Sequence, residues 1–89
     1  MAYSYPIEET WTTEEITDVV TFFSLIEQAY ESSVDRKELL AAYRRFKAIV
    51  PAKNEERSYF SEFEQSSAYS SYHAVKKARN EKQDKISMR

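Results

Sequence analysis

The sequence predicts an all-α protein: a small helical bundle of three longer helices and one short helix, with an extended N-terminal arm. Three observations support this. None of the 89 residues is glycine, where average usage would place roughly six. Tight hairpins and phosphate-cradling loops depend on glycine for positive φ and close backbone approach, so β-barrels, Rossmann domains and P-loops are disfavoured. Apolar residues recur at helical spacing along most of the chain, and capping residues or Pro51 stand where those stripes begin and end.

Residues 1–11 read as the arm. Tyr3, Tyr5 and Ile7 alternate with polar residues or Pro6, which holds its predecessor out of the α region. With Trp11, so many large apolar side chains predict an arm docked on the bundle, because a free one would be adhesive.

The first helix is predicted over Thr13–Glu31. Thr12 and Glu15 have capping-box spacing, and Glu14, Glu15 and Asp18 suit the positive end of the helix dipole. Ile16, Val19, Val20, Phe23, Ile26 and Tyr30 form its stripe, widened by Phe22, Leu25 and Ala29, which marks a central helix touching several neighbours. The second helix is expected over Arg36–Val50, with Asp35 as N-cap, Glu38 at N3, Val34 stapled to Leu39, and Pro51 stopping it. The short link 31–35 makes these two an antiparallel hairpin.

The third helix is expected over Glu55–Gln65, capped by Asn54, with Tyr59, Phe60 and Phe63 inward. Ser66, Ser67, Ser70 and Ser71 mark a break, with Ser67 or Ser70 capping the fourth helix. That helix carries Tyr72, Val75 and Ala78 on one face. Only Ile86 and Met88 are apolar beyond it, so residues 80–89 are expected to be a frayed polar tail of the single domain 1–89.

Composition narrows function. The absence of cysteine excludes disulfides and thiolate zinc sites. The most apolar uncharged stretch, Val19–Ile26, is far short of the roughly 18 residues of a membrane span. The N-terminus lacks a basic region followed by a hydrophobic core, so no secretory signal is read and the cytoplasm is expected. Residues 1–34 hold seven acids and no Lys or Arg, whereas residues 66–89 hold six basic and two acidic side chains. The expectation is an acidic first helix lying beside basic neighbours.

No catalytic constellation emerges. His73, the sole histidine, has no nucleophile or second ligand beside it. The pairs Glu8/Glu9, Glu14/Glu15 and Glu55/Glu56 point about 100° apart on a helix, and the Glu-x-x-His motifs of a bundle di-metal site are missing. The chain is therefore expected not to be an enzyme, with no cofactor and no metal. Arg44, Arg45 and Lys47 on the second helix, and Lys76, Lys77, Arg79, Lys82 and Lys85 on the fourth, are expected to form basic surfaces. Seven tyrosines are many for this length, and tyrosine suits interfaces where one end packs and the other stays wet.

The runs Tyr3-Ser4-Tyr5-Pro6-Ile7, Trp11-Thr12-Thr13-Glu14-Glu15-Ile16, Val19-Val20 with Phe22-Phe23, Leu39-Leu40-Ala41-Ala42-Tyr43-Arg44-Arg45-Phe46-Lys47, Ile49-Val50-Pro51, and Tyr69-Ser70-Ser71-Tyr72 with Val75-Lys76-Lys77-Ala78 resemble the uncharacterised protein family UPF0223 of low-GC Gram-positive bacteria. The likeness spans roughly residues 3–79. It implies a compact helical fold and no assigned activity, so it transfers no site residues. It also implies Ser-Gly-Tyr where this chain has Ser67-Ala68-Tyr69, a departure confined to the geometry of that turn.

The leading functional expectation is a non-catalytic cytosolic module that binds another protein, with Tyr3, Tyr5, Tyr69 and Tyr72 as aromatic anchors and Arg44, Arg45, Lys76 and Lys77 as charged contacts. The alternative is a nucleic-acid-associated regulatory factor using the basic face of the C-terminal helix, disfavoured by a pI near 5.4 and by Glu81 and Asp84 within the basic run. No membrane partner is expected, and a homodimer through a leftover aromatic face stays open.

Overall fold

The computed structural model describes residues 5–89. Four helices form the bundle: α1 (Thr13–Glu31), α2 (Arg36–Ile49), α3 (Lys53–Ser67) and α4 (Ser71–Asn80). Two short strands, β1 (Val34–Asp35) and β2 (Lys85–Ile86), pair antiparallel with Val34 opposite Ile86.

Helix α1 begins on the expected capping box. The Glu15 N–H donates to Thr12 Oγ1 at 3.1 Å, and the Thr12 N–H donates to Glu15 Oε1 at 2.8 Å, satisfying two otherwise orphaned amides. Val19, Phe22, Phe23, Ile26 and Ala29 are buried along it. Asp35 caps α2 by accepting from the Lys37 and Glu38 amides at 2.9 and 3.3 Å. Leu39, Ala42, Phe46 and Val50 carry that helix's side of the core.

The centre is aromatic. All five phenylalanines are buried, with Phe22 on Phe46 at 5.0 Å, Phe23 on Phe63 at 4.7 Å and Phe46 on Phe60 at 5.7 Å between ring centroids. Such contacts add to the free energy of area burial alone. The described part of the arm closes one side of this cluster. Pro6 is fully buried, and Tyr5 lies against Phe23 and Phe63.

Three sequence expectations are corrected. Helix α3 starts at Lys53, not Glu55, and its N-cap is Ala52 with no side-chain cap bond. Asn54 already lies within the first turn, because the chain leaves Pro51 extended and coils at once. Glu55 and Glu56 supply the negative charge the dipole favours there. On α4 the inward residues are Ser71, Ala74, Val75 and Ala78, while Tyr72 is 58% exposed. Small side chains let α4 approach its neighbours closely, and the ring that would block this points outward.

Residues 80–89 are not a frayed tail beyond α4. Ile86 is 1% exposed, and β2 pairs with β1 in the α1–α2 link. Past it the chain satisfies the C-terminal end of α1: the Met88 N–H donates to the Ala29 carbonyl at 2.8 Å and Arg89 Nη1 to the Glu31 carbonyl at 3.2 Å. Helix α1 has no basic residue in its last turn, so the arginine from the tail supplies the charge its negative dipole end favours. Lys77 clips the segment from α4 through the Ser87 carbonyl at 2.7 Å.

The α3–α4 corner turns on Ala68, whose φ of 68° and ψ of 10° are left-handed. Ser67 holds the turn by donating to the Phe63 carbonyl at 2.8 Å and accepting from the Tyr69 N–H at 3.0 Å. Ser70, one of the two expected caps, accepts from the His73 amide at 3.2 Å and starts α4.

Candidate functional site: a groove between α3 and α4

Beyond that corner an open groove of about 1300 Å³ is lined by α3 and α4. Tyr43, Phe60 and Val75 provide its apolar lining, and Tyr72 stands at its α4 side. Lys53, Arg57, Ser61 and Gln65 recur every four residues along α3. Lys76, Arg79 and Asn80 line the opposite wall, and Glu56 and Glu64 are the carboxylates.

Helical spacing explains this assembly. Tyr72, Lys76 and Arg79 sit at i, i+4 and i+7, so one face of α4 presents an aromatic ring and two cations. The Lys76 ammonium lies 5.9 Å from the Tyr72 ring centroid, and the Arg79 guanidinium 5.8 Å from that of Tyr43. Glu56 is not merely a solvated helix-start acid. It accepts from the Tyr43 hydroxyl at 2.7 Å and from the Lys47 ammonium at 2.7 Å, with its side chain 13% exposed. Burial, then Glu56, pushes the Tyr43 phenol up to about 12, so it stays a neutral donor.

The structure divides the sequence-selected residues. Tyr72 and Lys76 share the groove. Arg44 lies in an adjoining hollow. Tyr5 is committed to the core, where burial and then Glu27 raise its phenol to about 12. Tyr69 stacks on Tyr30 at 4.6 Å and donates to Glu31 Oε2 at 2.9 Å, fastening the corner to α1. Arg45 pairs with Asp18 at 3.5 Å, the expected meeting of α1 acids with a basic neighbour. The α4 cations instead turn elsewhere, Lys77 to Ser87 and Glu81. Tyr3 lies outside the described residues.

Sequence reasoning missed Lys53, Arg57 and the floor residues Phe60 and Tyr43 as parts of one surface. The four-residue spacing of Lys53, Arg57 and Ser61 was the available signal. His73 is exposed and its Nδ1 lies 2.8 Å from Ser70 Oγ, at the α4 cap and not among the groove residues. Among the described residues no three His, Cys, Asp or Glu side chains gather to hold a metal ion. No helix there is long and apolar enough to cross a membrane.

Residues 2–87 match the profile of the Uncharacterised protein family (UPF0223). The chain belongs to this family. Among UPF0223 relatives, the protein OB1419 of Oceanobacillus iheyensis is 62% identical over 99% of this chain and 100% of its own length. YktA of Bacillus subtilis is 56% identical with the same coverage. A relative from Staphylococcus saprophyticus is 50% identical over 97% of this chain and 94% of its own. The family's function is uncharacterised, so any functional reading of a UPF0223 protein rests on its surface.

Proposed function

We propose that this UPF0223 protein is a non-catalytic, cytosolic protein-interaction module whose docking surface is the α3–α4 groove. The observation that carries this reading is Tyr72, 58% exposed beside an apolar floor and flanked by cations at helical spacing. An accessible aromatic over such a floor, ringed by Arg and Lys, has the composition of an interface hot spot. Lys53, Arg57, Lys76 and Arg79 outnumber Glu56 and Glu64, and Glu56 is already engaged by Lys47. The occupant is accordingly an acidic protein segment with one apolar face, laid between two helices as a third. Two features support a non-catalytic role: no histidine lines the groove, and the carboxylate beside its Tyr43 hydroxyl, Glu56, is already paired with Lys47.

The test compares the wild type with the double variant Tyr72→Ala/Lys76→Glu as bait in nuclease-treated cytosolic extract. Both side chains are exposed, so the thermal midpoint should change little. Proteins held by the wild type and lost from the double variant support the groove. Equal recovery by both removes it, and a mobility shift of single-stranded RNA at ~50 mM salt would favour a nucleic-acid role instead.

A further inference from the structure

A second, shallower hollow of about 550 Å³ lies between α2 and α4, lined by Arg36, Leu40, Tyr43, Arg44, Lys47 and Arg79. Four cations and no carboxylate line it. Their commitments differ. Lys47 is offset by Glu56 at 2.7 Å. Arg36 uses Nε to cap α4, donating to the Ala78 carbonyl at 2.6 Å, which fixes its guanidinium and leaves both Nη groups uncommitted. Arg79 rests on the Tyr43 ring. Among the described residues Arg44 makes no hydrogen bond or ion pair.

Three guanidiniums therefore share one concavity without an anion to offset their repulsion. The local sequence offers no relief. The residues three and four away from Arg44 are Leu40, Ala41, Lys47 and Ala48, and those around Arg79 are Val75, Lys76, Lys82 and Gln83. Like charges so placed are destabilising unless a ligand or counter-ion joins them. Guanidinium forks match the paired oxygens of a phosphoryl group, and the Leu40 and Tyr43 side chains lining the hollow limit water around such contacts. Glu56, held by Lys47, bounds the site at one end. A short anion fits that arrangement better than a continuous polyanion.

We propose that this hollow binds the phosphoryl group of a small phosphorylated molecule, with Arg36 as the fixed contact and Arg44 and Arg79 closing on it. The proposal does not depend on the α3–α4 groove binding a protein.

The probe is pyrophosphate, titrated into the full chain at ~50 mM salt and followed by calorimetry and by the arginine Nε–H resonances. Saturable one-to-one binding with a Kd of about 1 mM or tighter is expected. Arg44→Ala and Arg79→Ala should each weaken it roughly tenfold. Arg44→Lys should weaken it about threefold or more despite unchanged charge, because the fork is lost. Lys37→Ala, which removes an exposed cation of α2 outside the hollow, should change it less than about twofold. Circular dichroism of each variant checks that the helices persist. The proposal fails if binding does not saturate by ~20 mM, if Lys37→Ala weakens it as much as Arg44→Ala, or if a single-stranded oligouridylate binds more than ~100-fold tighter than pyrophosphate.

Discussion

Replacing Ala68 with glycine should make this protein more stable. Ala68 ends α3 at φ 68° and ψ 10°, where an L-residue's Cβ crowds the following carbonyl at a cost of about 1–2 kcal/mol. Glycine avoids that clash but loses about 0.5–1 kcal/mol through its freer unfolded chain. The net expectation is a gain of about 0.5–1 kcal/mol. Nothing else at the turn is sacrificed. The Ala68 methyl is exposed, and the bonds that hold the corner use the Ala68 N–H to the Glu64 carbonyl and the Ser67 hydroxyl. For a domain this size the gain corresponds to a rise in Tm of roughly 2–8 °C. Urea unfolding should move to a higher midpoint with an unchanged slope. Ala68→Val provides the opposite arm, because a β-branched residue is worse still in the left-handed region. A lower midpoint for Ala68→Gly, or an Ala68→Val variant as stable as the wild type, would refute the strain argument.

Two further outcomes follow from the packing. Ile86→Ala should destabilise the fold by about 2–3 kcal/mol, the lower part of the range for a buried Ile→Ala change, because a terminal strand can adjust. Calorimetry showing a loss under ~0.5 kcal/mol would mean the tail contributes nothing to the core. Alkaline pH should also unfold the protein through its phenols. Tyr5, Tyr43 and Tyr59 are raised to about 12, each by burial first and then by a neighbouring Glu27, Glu56 or Glu8. Below the ordinary value of 10 both folded and unfolded chains keep these protons, so the stabilisation is complete. Above it the unfolded chain releases them first, and stability falls as pH rises from 10 towards 12. Tyrosinate absorbance that titrates in a single step near 10, with no change in Tm, would contradict this.

The helices were legible because their signals are local. The α1 boundaries follow from Thr12 and Glu15 at one end and from an apolar stripe that ends before Ser32 and Ser33. Asp35 and Pro51 bracket α2 in the same way. The site was only partly legible. Tyr72 and Lys76 could be chosen because aromatic and basic residues four apart share a helix face. Tyr5 and Tyr69 look equally eligible in one dimension, yet one ring entered the core and the other stacked on Tyr30. Residue type does not say which side of a ring will be covered. Arg36 was overlooked because its environment is made by the Ala78 carbonyl, 42 residues away.

Composition, stripe periodicity and caps by themselves determined an all-α chain with its helices nearly in place, since each signal acts within a turn or two of helix. The tertiary structure decided the rest. It brought β1 and β2 together across fifty residues, seated Ile86 in the core, forced Ala68 left-handed, and gathered cations from α2 and α4 around one hollow. Those outcomes depend on how whole helices pack around five phenylalanines. Packing is a property of surfaces meeting in space, which no local window of sequence contains.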